Sequence, residues 1–279
     1  MLKRTITGAC LIAVAIPIIF FSDTWILPVV AAFLSITAAF EVVRCIGVVG
    51  KYRMTIPIYV YAVTLPSAAR IFLIFGQQDR VFEIFTIMTV GLAIYLFAIM
   101  MFSHGKIVYR EIAEAFMTVL YTTCGFTSMV FLNDHHNGVF TLILIFLAAI
   151  TTDIFAYLCG KLFGKHKLIP DVSPNKTVEG SVGGMIFCEL FLFGYGCLLQ
   201  YGLGIPIKFS VLLIGGIFIS IVSQIGDLIM SSIKRAYGIK DFGKIFPGHG
   251  GVLDRFDSSI AVAIILLPIV TFFGIFPVI

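Results

Sequence analysis

The stretch from Ser223 to Asp257 gathers the residue types that handle phosphate. Ser223, Asp227, Ser231, Lys234 and Arg235 recur at helical steps, so one stripe of a helix would carry a carboxylate and two hydroxyls and end in two cations. An isolated Asp227–Lys234 ion pair accounts for part of that stripe. It does not account for Lys240-Asp241, Pro247-Gly248-His249-Gly250-Gly251 and Asp254-Arg255-Phe256-Asp257, which come next along the chain. Asp254 and Asp257 are spaced to share a helical face, unless Asp257 only caps the next helix. If the glycine-rich turn brings Asp254 to Asp227, the two carboxylates suit Mg²⁺, which takes a few carboxylates plus substrate phosphates. His249, between glycines, fits a substrate or backbone contact. It has no Cys or second His at zinc-ligand spacing.

A second polar stretch precedes this one. Lys161, Lys165, His166 and Lys167 lead to Ser173-Pro174-Asn175-Lys176-Thr177, with Glu179 and Gly180 close behind. Ser173 before Pro174 predicts a capped helix start, and N–H groups there, with Lys176 and Thr177 beside them, would attract a phosphate. An ordinary capped helix explains the same residues equally well. Gly-x-x-x-x-Gly-Lys-Ser/Thr is absent, so this is not a nucleoside-triphosphate P-loop. Asp153, with Tyr157 one turn on, lies in an apolar run, where a carboxylate is costly and should face a polar cavity or partner. Glu189 lies in another such run with no motif around it.

The elements that must position these residues are membrane helices. The 279-residue chain is 59% hydrophobic and 12% charged, against roughly 25% charged in soluble domains. Its mean hydropathy is +1.07. A soluble enzyme with a single anchor is excluded, and a net charge of +4 gives no support to nucleic-acid binding. Six cysteines, all in or beside apolar runs and without a Cys-x-x-Cys pair, read as small buried hydrophobes. Lys3 and Arg4 before an apolar stretch, with no Ala-x-Ala-like site after it, predict an uncleaved anchor.

Nine spans are expected, at roughly 5–21, 25–43, 56–76, 82–102, 115–132, 139–160, 181–202, 207–230 and 258–278. Sixteen of the 19 basic residues then fall on the N-terminal side of the membrane; Arg80 and Lys208 lie opposite, and Arg70 lies within a span. Positive-inside bias puts that side, and the N-terminus, in the cytoplasm. The expected fold is thus an all-α polytopic membrane protein. Residues 1–140 would form a scaffold, and residues 141–279 would carry cytoplasmic catalytic segments at 161–180 and 231–257. Those segments hold nine of the 19 basic residues; lipid-headgroup binding alone would explain the charge, but not its combination with glycines and acids.

The run Ser231-x-Ile233-Lys234-Arg235-x₄-Lys240-Asp241-x-Gly243-x₂-Phe246-Pro247-x-His249-Gly250-Gly251-Val252-x-Asp254-Arg255-Phe256-Asp257 resembles the signature of the phosphatidate cytidylyltransferase (CDP-diacylglycerol synthase) family. Asp153-x-x-Ala156-Tyr157-x-x-Gly160-Lys161-x-Phe163-Gly164 and Ser173-Pro174-x-Lys176-Thr177-x-Glu179-Gly180 are also similar to it. The resemblance implies a nucleotidyltransferase of phospholipid biosynthesis, converting CTP and phosphatidate to CDP-diacylglycerol and pyrophosphate with Mg²⁺. It implies metal binding by Asp227 and Asp254, and it suggests a second cation such as K⁺. It assigns Ser173, Lys176 and Thr177 to CTP phosphates, and Lys234, Arg235, His249 and Arg255 to the phosphates of either substrate. Lys240 joins the substrate-binding set, while Asp241 and Asp257 would orient those cations or complete the metal shell. The expected location is a cell membrane, the inner one in a bacterium, with the active site facing the cytoplasm; a homodimer is left open. A cytidylyltransferase for another lipid phosphate is the main alternative. An ion-coupled transporter using Asp153, Glu189, Asp227 and Arg70 is the other, against which no inverted repeat is visible.

Overall fold

The computed structural model describes residues 13–276. Helix α1 covers 13–20 and is followed by α2 (Ile26–Ile46), α3 (Tyr52–Ile74), α4 (Gln78–Phe102), α5 (Tyr109–Asp134) and α6 (Gly138–Phe163). A two-stranded hairpin, β1 (Lys167–Ile169) and β2 (Ser173–Thr177), leads into α7 (Val178–Cys197), then α8 (Phe209–Ala236) and α9 (Leu253–Pro268). Single π-helical turns, Leu198–Gly202 and Ile269–Phe273, extend α7 and α9. Among the described residues eight helices, α2 to α9, are long and apolar enough to cross a bilayer. The molecule is an all-α polytopic membrane protein, and the first expected span, 5–21, lies partly outside the described residues.

Polar residues lengthen several helices past their apolar cores. The 28 residues of α8 measure about 42 Å, against a hydrocarbon layer of about 30 Å, so its last turns carry Lys234 and Arg235 clear of an apolar core. Similarly α9 begins at Leu253, ahead of the expected apolar run, and has Asp254 in its first turn.

The approach to α7 differs from the expected capped helix start. Ser173 does not cap a helix: it opens strand β2, which pairs antiparallel with β1 through Ile169↔Ser173 and Lys167↔Thr177. The residue before a proline is driven toward extended backbone, and Pro174 lacks only an N–H that a two-stranded edge can spare. The helix starts four residues later, where the Thr177 hydroxyl accepts the Gly180 N–H at 3.1 Å.

The chain forms two compact units. One runs through Asp134 and takes back Tyr237–Arg255; the other comprises His135–Ala236 and the chain from Phe256 onward. In the first, α2 packs on α3 and α5, and α3 packs on α4 and α5. Arg70 is paired with Asp134 at 2.9 Å, so this cation inside a span has a partner. In the second, α6, α7 and α8 pack on one another. Here α7 lies almost flush on α6: a Cβ on Gly180 would stand 2.5 Å from the Ala156 carbonyl oxygen, and one on Gly184 would stand 2.8 Å from that of Thr152. Small residues four apart allow this backbone approach, which in a membrane replaces the hydrophobic drive for helix association. Cys45, Cys124, Cys159, Cys188 and Cys197 are free thiols; Cys159 and Cys188 are buried as expected, whereas Cys45, Cys124 and Cys197 are only half-buried, and Cys10 lies outside the described residues.

Candidate functional site

In the second unit, the hairpin delivers Lys176 to the face of α8. Its Nζ lies 2.6 Å from Asp227 Oδ2, with the two side chains 21% and 27% exposed, and 3.5 Å from the Gln224 carbonyl oxygen. Gln224 reaches back through Nε2 to the Ser181 carbonyl oxygen at 3.3 Å, tying α8 to the start of α7. Arg235 Nε donates to the Val172 carbonyl oxygen at 3.3 Å, holding the hairpin turn against the end of α8. Glu179, in the first turn of α7, accepts the N–H groups of Lys165 and His166 and pairs with His166 Nδ1 at 2.6 Å. These bonds fix the hairpin over the end of α8 from several directions, and Lys176 is what it presents there.

A set of carboxylates lies beside this ion pair. Asp257 interacts electrostatically with Asp227 and Asp153, and Lys234 offsets the repulsion. Ser258 donates through Oγ to Asp153 Oδ2 at 3.1 Å and through its N–H to Asp257 Oδ1 at 2.9 Å. Asp153 therefore has the polar partner that an acid in an apolar run requires. Among the described residues no three His, Cys, Asp or Glu side chains are placed to hold a metal ion together, so these acids are electrostatic neighbours and not a three-ligand metal site.

In the first unit, Tyr237–Arg255 forms a loop with its own internal bonding. Asp254 is buried, and its Oδ2 accepts the N–H groups of Phe242 at 2.8 Å and Gly251 at 2.9 Å. Between them, Phe246 N–H bonds to the Gly250 carbonyl oxygen at 3.0 Å and His249 N–H to that of Phe246 at 2.8 Å. Gly250 has φ +86°, and a Cβ there would stand 2.6 Å from Asp254 Oδ2, so only glycine fits this turn. The loop surrounds a cleft of about 680 Å³ lined by Lys240, Asp241, Lys244, His249 and Arg255 among others. Three cations against one carboxylate make it a cleft for an anion, and its volume is that of a nucleotide-sized pocket. Among the described residues, His249 Nδ1 is buried without a hydrogen-bond partner. Tyr237 donates its hydroxyl to Glu114 Oε2 at the loop's start; burial first, and then this bond, push its phenol above the usual range.

The residues expected from the sequence are therefore distributed by unit. Lys176, Thr177, Asp227, Lys234, Arg235 and Asp257 belong to the second unit, with Ser173 at the start of β2; Lys240, Asp241, His249, Asp254 and Arg255 belong to the first. Thr177 is buried as the cap of α7. Glu41 and Arg44 of α2, which no motif marks, also hold the Tyr237–Arg255 loop. Glu41 accepts the N–H groups of Val252 and Leu253, and Arg44 donates to the Phe242 carbonyl oxygen. A signal was present, because Glu41 is an acid inside an apolar run as surely as Asp153 is.

Residues 2–273 match the model of the cytidylyltransferase family. A phosphatidate cytidylyltransferase of Staphylococcus haemolyticus is 32% identical over 263 residues, covering 92% of this chain and 94% of the relative. That of Staphylococcus aureus strain COL is 32% identical over 261 residues with the same coverage. One from Staphylococcus epidermidis is 37% identical over 197 residues, covering 70% of this chain and 74% of the relative.

Proposed function

This chain belongs to the cytidylyltransferase family, and we propose that it transfers a cytidylyl group from CTP to phosphatidate, giving CDP-diacylglycerol and pyrophosphate. The Lys176–Asp227 ion pair carries this assignment. It sets Lys176 of strand β2 against Asp227, a carboxylate that a bilayer would reject on the largely apolar α8, next to Asp257 and Asp153, and reacting polyanions require such a mixture of cations and carboxylates.

The chemistry asks little of a base. A phosphate monoester has a second pKa of about 6, so phosphatidate is mostly dianionic near neutrality. One of its oxygens bonds to the α-phosphorus of CTP as the bond from that phosphorus to the pyrophosphate oxygen breaks, and pyrophosphate leaves. The protein must bring two anions together and neutralise charge at the phosphoryl oxygens and the leaving group. Lys176 and Lys234 in the second unit, and Lys240, His249 and Arg255 around the loop cleft, are the donors we assign to these phosphates. We propose Mg²⁺ as the cofactor, with Asp227 as one protein ligand, since Mg²⁺ is held by one or two carboxylates together with substrate phosphates and needs no all-protein cage. Asp254 is the other carboxylate we assign to a cation, its orientation fixed by two backbone N–H groups; K⁺ remains the proposed second ion. When bound, Mg²⁺ would supply charge neutralisation at phosphoryl oxygens. The basic-residue bias supports a cytoplasmic site.

The test is turnover by purified protein given a panel of lipid phosphates and nucleotides. We expect CDP-diacylglycerol from CTP and phosphatidate, and little product from other nucleoside triphosphates. A folded preparation that transfers no cytidylyl group to any lipid phosphate would overturn the proposal.

A further inference from the structure

Glu41 is 1% exposed in the apolar sequence Ala38-Ala39-Phe40-Glu41-Val42-Val43 of α2. Both its oxygens are used: Oε1 accepts the Val252 N–H and Oε2 the Leu253 N–H, each at 3.0 Å. These donors stand at the start of α9, where backbone N–H groups have no partner within the helix and the helix dipole favours a negative charge. A helix usually takes its cap from an adjacent Ser, Thr, Asp or Asn; here the cap arrives from a residue more than 200 positions away. The chain has been cleared for it on both sides. A Cβ on Gly243 would stand 2.2 Å from Glu41 Oε1, and one on Gly251 2.0 Å from the same atom. One helical step along α2, Arg44 donates to the Phe242 carbonyl oxygen. A single turn of α2 thus grips both ends of Phe242–Leu253, the loop that Asp254 Oδ2 closes from within and that carries His249 and Lys244 into the cleft.

We infer that Glu41 is a positioning residue for cytidylyl transfer, acting from α2 through the N–H groups of Val252 and Leu253 to hold the Phe242–Leu253 loop in its working shape. The inference rests on the function proposed above. Glu41 is buried with both oxygens taken by backbone donors, so it acts by setting where the loop's side chains stand. Its carboxylate explains why Gly243 and Gly251 are glycine, which neither has a positive φ to require.

Glu41→Gln tests this, because the amide nitrogen cannot accept a hydrogen bond and leaves one N–H facing another. Losing one charge-assisted bond of the pair should lower kcat about ten- to a hundredfold. KM for CTP should stay within about threefold, because the loss is in alignment rather than in a phosphate contact. Hydrogen–deuterium exchange of the full-length protein in detergent gives a readout independent of turnover. Amides of Phe242–Leu253 should exchange about tenfold faster or more, with α3 and α5 unchanged. Gly251→Ala provides the second variant should Glu41→Gln fail to fold: it keeps the carboxylate and pushes it off its donors, and the same local exchange and kcat loss are expected. Exchange unchanged in the loop, exchange raised evenly across the chain, or wild-type turnover per folded molecule would each overturn the inference. If the wild-type protein fails to use CTP while loop exchange still rises in both variants, the functional proposal fails and the clamp stands.

Discussion

Breaking the Lys176–Asp227 pair tests the site from the side of stability and of activity together. Fully buried pairs lose about 3–5 kcal/mol when one partner is removed, and exposed ones contribute about 0–1 kcal/mol. With side chains 21% and 27% exposed and a 2.6 Å contact, this pair falls between those limits, and we expect a coupling of about 1–2 kcal/mol. The perturbation is a double-mutant cycle of Lys176→Met and Asp227→Asn, read as thermal midpoints in detergent. A coupling of that size corresponds to roughly 2–8 °C in a chain of this length. Each single variant should lose more stability than its share of the double variant, since each leaves a charge unpaired. Turnover behaves differently: either substitution should lower it about a hundredfold or more, and the double variant should not recover it. Single effects that simply add, within about 0.5 kcal/mol, would refute the ion-pair geometry. A double variant that regains both stability and turnover would refute the catalytic reading, leaving a structural pair.

Two further outcomes are expected. Gly184→Val adds a branched side chain where even a Cβ would lie 2.8 Å from the Thr152 carbonyl oxygen, so α6 and α7 must separate; a loss of about 2–4 kcal/mol should appear as a lower thermal midpoint and reduced folded yield, whereas an unchanged midpoint would contradict the close packing. Removing divalent cations with a chelator should abolish turnover, and Mg²⁺ should restore it while Zn²⁺ does not, because Asp227 and the substrate phosphates would offer the ion only hard oxygens. Full activity in the chelated enzyme would remove Mg²⁺ from the account.

Much of the architecture was legible in the sequence, for a physical reason: a bilayer admits only long apolar helices, and the runs expected from 25–43 onward each became one of α2 to α9. Their ends were less legible, since hydropathy reports where lipid stops and not where the helix stops. Lys234 and Arg235 are polar yet remain in α8, and Leu253–Asp257 are already in α9. The β1–β2 hairpin was hidden because Ser-Pro opens a strand as readily as a helix. In the site, the polar runs identified Lys176, Asp227, His249 and Asp254 as candidates through residue type and spacing alone. Glu41 and Arg44 could not be joined to the loop in that way. Their partners are backbone groups about 200 residues along the chain, and a backbone N–H carries no side-chain signature.

Incubation of the purified protein with Mg²⁺, phosphatidate and CTP labelled separately in the cytidine ring and the γ-phosphate addresses the proposed reaction most directly. The account predicts that the ring label enters the lipid as CDP-diacylglycerol while an equal amount of the γ label leaves as pyrophosphate. Ring label that never enters lipid, or γ label released as orthophosphate, would contradict it.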